Sequence, residues 1–370
     1  MNTIIQRVEF PDNRRILMLS DIHGHAEGLE KLLRQVHFSK DDILVIVGDL
    51  VEKGPESLRT VRMVMELCRT HTVYPLMGNV DLWRLEHLFS DDPAVHQAMI
   101  SYSIKARGWW KNSFLHELCQ ELGVIPEEAE DTQALFARLR EHFAAEFDFL
   151  LHLPTVLETQ RMIFVHGGIP HERLDELKET ERIPLMKWDH FYEDGLSFDK
   201  YVVVGHWPTT LYSKGMPMYN PLIDHNRHII CLDGGCGVKD EGQLNLLIYP
   251  DWRSDESELH TWTDLPVITA LDAQNASTDF DYIRWGDHEV ELLEQGTELS
   301  RISHHGRTMI VPAEFVWERD GRTYCSDITD LRLSVQPGDR LHLITTSPLG
   351  AFVKKDGVIG WYEGRYHSNA

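Results

Sequence analysis

Six residues of metal-ligating type recur at one kind of place in this sequence. Asp21 and His23, then Asp49, Asn79, His166 and His206 each follow a short apolar run and sit beside glycine. Carboxylate, amide oxygen and imidazole together suit borderline divalent ions such as manganese, iron or zinc. No thiolate accompanies them, which argues against a structural zinc site. Two ions held about 3.5–4 Å apart need a shared ligand, and a carboxylate can bridge them. Asp49, central in the order of the fragments, is the expected bridge. A single Asp-x-His would read as a surface pair and a single His before Gly-Gly as a turn. The whole set, in order and each at a strand end, has no comparable structural explanation. Gly24, Gly48, Gly78, Gly167, Gly168 and Gly205 let the chain turn sharply after each strand and approach closely.

The elements that must carry these residues can be read from hydrophobic pattern. Residues 15–20, 43–47, 73–77, 161–165, 201–204, 228–232 and 244–249 are short apolar runs of strand length. Residues 26–36 and 57–69 between them have helical spacing, with Leu29, Leu32, Leu33 and Val36 on one face and Leu58, Val61, Met65 and Cys68 on another. Strands alternating with helices predict an α/β fold with a largely parallel sheet, and such sheets place their sites beyond the carboxyl ends of the strands.

Residues 82–152 break the alternation. They are helical in pattern, with Asp131-Thr132 as a cap and Leu135, Phe136, Leu139, Phe143 and Phe147 inward, so this block is expected to be a helical insertion, either extra core or a lid. The catalytic domain is thus expected over 1–250 and a linker or edge segment over 251–285. Residues 286–370 read as all-β, with a weak internal repeat (294–299 against 336–341) that suggests two Src-homology-3-like barrels and a peptide or protein partner for them.

Bulk properties exclude some classes. A net charge of −23 opposes general binding to nucleic acid or to an anionic membrane. Five cysteines in 370 residues do not make a disulfide framework. The N-terminal segment lacks the apolar run of a signal peptide, so the expected location is cytoplasmic. His87 and the pair His304-His305 read as surface histidines.

Taken in order, Asp21-Ile22-His23-Gly24, Gly48-Asp49 with Gly54-Pro55, Gly78-Asn79, His166-Gly167-Gly168 and Gly205-His206-Trp207-Pro208 resemble the PPP serine/threonine phosphatases and the bacterial symmetrical diadenosine tetraphosphate hydrolases, over about residues 14–250. The resemblance implies a calcineurin-like metallophosphatase fold, a four-layer αββα sandwich. It implies two divalent ions, manganese first and iron or zinc as alternatives. Asp21, His23 and Asp49 would hold one ion, and Asp49, Asn79, His166 and His206 the other. A hydroxide between them would attack phosphorus in line, with Lys53 and Asn79 on the phosphate.

The departures from that pattern shape the expected activity. The family's Gly-Asn-His-Glu is Gly78-Asn79-Val80-Asp81 here, so the proton-donating histidine is replaced by Val80. Asp81 or His25 is the expected stand-in. The family's Asp-Arg is Glu52-Lys53, both expected at the catalytic site, and Arg182, Lys187 and His190 are the candidates for a second phosphate-holding cation. The expected function is hydrolysis of a phosphomonoester with a good leaving group, on a phosphorylated small molecule or protein. Hydrolysis of dinucleoside polyphosphates or phosphodiesters is the first alternative, and a metal-bound regulatory module with little turnover is the second.

Overall fold

The computed structural model describes residues 2–213 and 215–368. The chain divides into two compact units, one running to Pro208 and including Pro221–Thr263, the other comprising Thr209–Asn220 and the chain from Asp264 onward.

The strands of the first unit are β1 (Ile5–Arg7), β2 (Ile16–Leu19), β3 (Ile43–Ile46), β4 (Thr72–Pro75), β5 (Val156–Glu158), β6 (Met162–Val165), β7 (Tyr201–Val204), β8 (Leu222–Asp224), β9 (Ile229–Cys231), β10 (Leu244–Tyr249) and β11 (Glu258–Trp262). They form two sheets, in the orders β11-β10-β2-β3-β4 and β1-β5-β6-β7-β9-β8. Each sheet has a parallel heart, β2-β3-β4 in one and β6-β7-β9 in the other. Antiparallel strands flank both hearts, so the sheets are mixed where the sequence suggested a largely parallel one.

The period of two along a strand explains why these runs are apolar throughout. Ile16, Met18, Ile43 and Val45 face the second sheet and pack with Phe164, Val203 and Ile230. Leu17, Leu19, Leu44 and Ile46 face the other way, onto the helices. Those helices are α1 (Ala26–Gln35), α2 (Ser57–Thr70), α3 (Asn79–Leu88), α4 (Pro93–Trp109), α5 (Phe114–Glu121), α6 (Thr132–His142) and α7 (Ala144–Leu151). Between β6 and β7 the helical pieces are single turns, Leu174–Leu177, Ile183–Met186 and Phe191–Asp194.

The helices between β4 and β5 extend the core. Asp131 caps α6 by accepting the Ala134 N–H at 3.0 Å, and Phe136, Leu139, Phe143 and Phe147 are buried in one cluster with Leu58, Val61 and Val64 of α2. The strand-end loops are met by α3, through Asp81 and Arg84, by the start of α5, and by the end of α4 with the turn after it. There the Lys53 carbonyl accepts the Lys111 N–H at 2.9 Å, and the Lys53 ammonium lies 5.7 Å from the Trp110 ring.

The second unit is built almost wholly of strands. It has a five-stranded sheet of Val358–Tyr362, Gly350–Lys355, Arg340–Ser347, Val267–Ala270 and Tyr366–Ser368, and a three-stranded sheet of Glu291–Glu294, Leu299–His304 and Arg307–Pro312. No disulfide joins the five cysteines. No helix among the described residues is long and apolar enough to cross a membrane.

Candidate metal centre

The parallel strands of both sheets deliver their carboxyl ends to one place. β2 leads into Asp21 and His23, β3 into Asp49, β4 into Asn79, β6 into His166 and β7 into His206. All six side chains predicted as ligands come together. His23 Nε2 lies 3.8 Å from Asp21 Oδ1 and 3.6 Å from Asp49 Oδ2. His166 Nε2 lies 3.4 Å from Asp49 Oδ2 and 3.1 Å from Asn79 Oδ1. His206 Nδ1 is 2.9 Å from the same Asn79 oxygen. Asp49 stands between the two groups.

Each imidazole is anchored by one nitrogen and offers the other to the centre. His23 Nδ1 donates to the Val51 carbonyl at 3.2 Å and His166 Nδ1 to the Val47 carbonyl at 2.7 Å. His206 Nε2 donates to Asp189 Oδ1 at 2.7 Å. Such anchors fix the tautomer and aim the free lone pair, as metal ligands require.

The backbone is strained at the same residues. Asp21, His23, Asp49, Glu52, Lys53 and His206 all have φ between 44° and 76°, a region that costs non-glycine residues roughly 1–3 kcal/mol each. Backbone bonds hold them there, among them Asp21 N–H to Gly48 O and His23 N–H to Asp49 O. Gly78 is glycine because a Cβ there would lie 2.1 Å from Asp49 Oδ1.

The electrostatics call for cations. Asp21, Asp49, Asp81 and Asp233 are each at most 2% exposed. Buried carboxylates on this scale need paired positive charge. Burial, which here outweighs His166, pushes Asp21 up to about 6 and, with the charge of Asp21, pushes Asp233 well above its usual range. His166 would be lowered by burial, but the charges of Asp49 and Asp21 lift it to about 10. Burial and Lys53 bring His23 down to about 3, and burial and His166 bring His206 down to about 4. The converging lone pairs, the buried carboxylates and the Asp233 oxygen without a hydrogen-bond partner fit divalent ions held by Asp21, His23, Asp49, Asn79, His166 and His206.

The other predicted residues have separate places. Lys53 Nζ, half-buried, lies 3.0 Å from His23 Nε2. Glu52 is buried and pairs with Arg84 at 2.7 Å, the same oxygen accepting the Phe114 N–H at 3.3 Å. Asp81, expected as a proton donor, has both oxygens occupied: Oδ1 accepts the N–H groups of Leu50 (2.9 Å) and Val51 (3.2 Å), and Oδ2 that of Gly78 (3.0 Å). Both acids are thus engaged with backbone N–H groups or with Arg84, which supports a positioning role in place of the catalytic one expected of them. His25 Nδ1 is bonded to the Ile22 carbonyl at 3.0 Å. Among the candidate phosphate cations, Arg182 donates to the Asn2 carbonyl, whereas Lys187 reaches Asp189 at 2.7 Å and through it His206. Asp189 and Asp233 were not picked out by the sequence. Asp233 had the same signal as the ligands, since it follows β9 and precedes two glycines; Asp189, between two single turns of helix, had none.

A family model described as calcineurin-like phosphoesterase matches residues 14–231. The chain belongs to this family. It is 35% identical over 285 residues to a symmetrical bis(5'-nucleosyl)-tetraphosphatase of Hamiltonella defensa, a match covering 64% of this chain and 94% of that protein. It is 38% identical over 92 residues to the protein of the same name from Colwellia psychrerythraea, where the match covers only 30% of that protein. A solved serine/threonine phosphatase of Saccharomyces cerevisiae aligns with 71% of this chain and 84% of its own, at 12% identity and a TM-score of 0.43.

Lys53 offers a direct test of how this family member meets phosphate. Lys53→Ala is expected to lower kcat/KM for p-nitrophenyl phosphate by ~10²-fold, the usual loss for one charge-stabilising donor. Metal content by elemental analysis should not change. Lys53→Arg should recover part of the loss.

Proposed function

We propose that the protein is a divalent-metal-dependent hydrolase of phosphate esters or anhydrides whose leaving groups are weak bases. The observation that carries this is the ring of anchored histidines around Asp49, three imidazoles each with one nitrogen bonded outward and the other turned inward. When bound, the ions supply Lewis acidity to the phosphoryl oxygens and acidify water. Asn79 and the carboxylates orient the site, and Lys53 offers an ammonium to the substrate phosphate. Asp189 holds His206 at Nε2 and keeps Lys187 beside it.

The leaving group is the distinctive part. Val80 carries no proton to give, and its N–H is bonded to Asp49 Oδ1 at 2.9 Å. Asp81 is committed to three backbone donors. A departing alkoxide thus receives no proton from these positions, whereas an aryl oxide or a nucleotide phosphate needs none. This supports two substrate classes, phosphomonoesters of aryl type and dinucleoside polyphosphates; the name carried by the relatives from Hamiltonella and Colwellia favours the second as much as the site favours the first.

A substrate panel tests the reading. Values of kcat/KM for p-nitrophenyl phosphate and for diadenosine tetraphosphate should exceed that for a phosphoserine peptide by ~10²-fold or more, the least that a missing general acid costs. The larger of the first two values decides between the two classes. Equal turnover of the phosphoserine peptide would overturn the argument from Val80.

A further inference from the structure

The second unit holds a histidine pair that the centre above does not explain. His304 ends the strand Leu299–His304, and His305, with φ of 48°, opens the turn to Arg307–Pro312. The sequence suggested two surface histidines. Instead His304 is 1% exposed and His305 stands out with its side chain 66% exposed. His304 Nδ1 donates to Asp281 Oδ2 at 2.7 Å. Its Nε2 is buried and has no hydrogen-bond partner, although Asp287 Oδ1 is 3.5 Å away. His305 Nε2 lies 2.8 Å from that same Asp287 oxygen. The three ligand atoms lie within 4.8 Å of one another.

An ion pair between His305 and Asp287 explains the shortest of these distances but leaves His304 Nε2 buried and unsatisfied. Such a nitrogen costs free energy unless something occupies it. The carboxylate on Nδ1 fixes the tautomer with the Nε2 lone pair toward Asp287, which is the arrangement seen around metal-ligating histidines. Bonds of about 2.0–2.1 Å in a tetrahedral zinc site put neighbouring ligand atoms about 3.3 Å apart. The His304–Asp287 pair, at 3.5 Å, is close to that spacing, and His305 Nε2, at 2.8 Å from the same oxygen, lies on a side chain that is 66% exposed. We propose that Asp287, His304 and His305 bind one divalent ion of the zinc class, with solvent in the fourth position. The site ties the turn at 284–287 to the hairpin at 304–307.

The test uses full-length protein stripped with a chelator and titrated with zinc against a chromophoric competitor. The exposed variants Asp287→Asn and His305→Ala are compared with the native chain, because a substitution of buried His304 would confound binding with folding. The native protein should take up one zinc ion more than either variant, or hold that ion 10–100-fold more tightly, and zinc should raise its melting temperature further. Neither substitution touches the ligands of the first centre, so the equivalents bound there should be unchanged. Identical zinc stoichiometry, affinity and melting in all three proteins would mean an ion pair only and would overturn the proposal.

Discussion

Asp49→Asn is expected to lower phosphate-ester hydrolysis by ~10³-fold or more, equivalent to about 4 kcal/mol of lost transition-state stabilisation at 1.36 kcal/mol per tenfold. The size follows from position. Asp49 Oδ2 is the oxygen that faces both His23 and His166, at 3.6 and 3.4 Å, so both halves of the centre meet on it. The substitution keeps the shape, because an amide oxygen can still accept the Val80 N–H in place of Oδ1. It removes the one negative charge shared by the two groups. Elemental analysis should show less bound metal, and the circular dichroism spectrum should be unchanged. Activity within tenfold of the native protein would mean that the cluster around Asp49 is not where hydrolysis occurs.

Asp81→Ala should cost stability before it costs chemistry. Asp81 is fully buried at the third position of α3, where it accepts the N–H of Gly78, the residue that caps that helix, and two more from the loop that presents Asp49. Removing the carboxylate strands three buried donors, at roughly 1–3 kcal/mol each. A loss of roughly 3–6 kcal/mol in urea unfolding is therefore expected, a large share of the 5–15 kcal/mol typical of a whole domain. Asp81→Asn should lose less, since its amide oxygen can keep the two loop donors while its NH2 faces Gly78 N–H. A proton donor would behave differently: Asp81→Asn would leave stability intact and slow only substrates with poor leaving groups. That pattern would restore Asp81 to the catalytic role the sequence suggested.

The six candidate ligands were legible because of where they stand. A strand buried on both faces must be apolar for its whole length, so an aspartate, asparagine or histidine immediately after it has no packing reason to be there. The same logic reaches β9 and Asp233, which also follows a buried strand and precedes two glycines. It could not reach Asp189, which lies among single helical turns with no periodicity to mark it. Strand direction was illegible for a different reason. Buried strands look alike in composition whether parallel or antiparallel, and the mixed sheets follow from connections such as the short one between β10 and β11, which suits a hairpin. Asp81 shows the limit for chemistry: its type and position suggested acid catalysis, while its role depends on three N–H groups gathered from two separate loops. The histidine pair 304–305 shows the limit for burial. Adjacent residues at a strand end point to opposite sides, and only the fold decides which is covered.

Hydrolysis is proposed to depend on divalent ions at the strand-end centre. The most direct measurement is p-nitrophenyl phosphate hydrolysis by full-length protein stripped with a chelator, before and after manganese is returned. No turnover is expected in the stripped protein, with recovery as the ion refills the centre. Undiminished turnover without metal would contradict it, as would a refilled centre, shown by elemental analysis, that hydrolyses neither this ester nor diadenosine tetraphosphate.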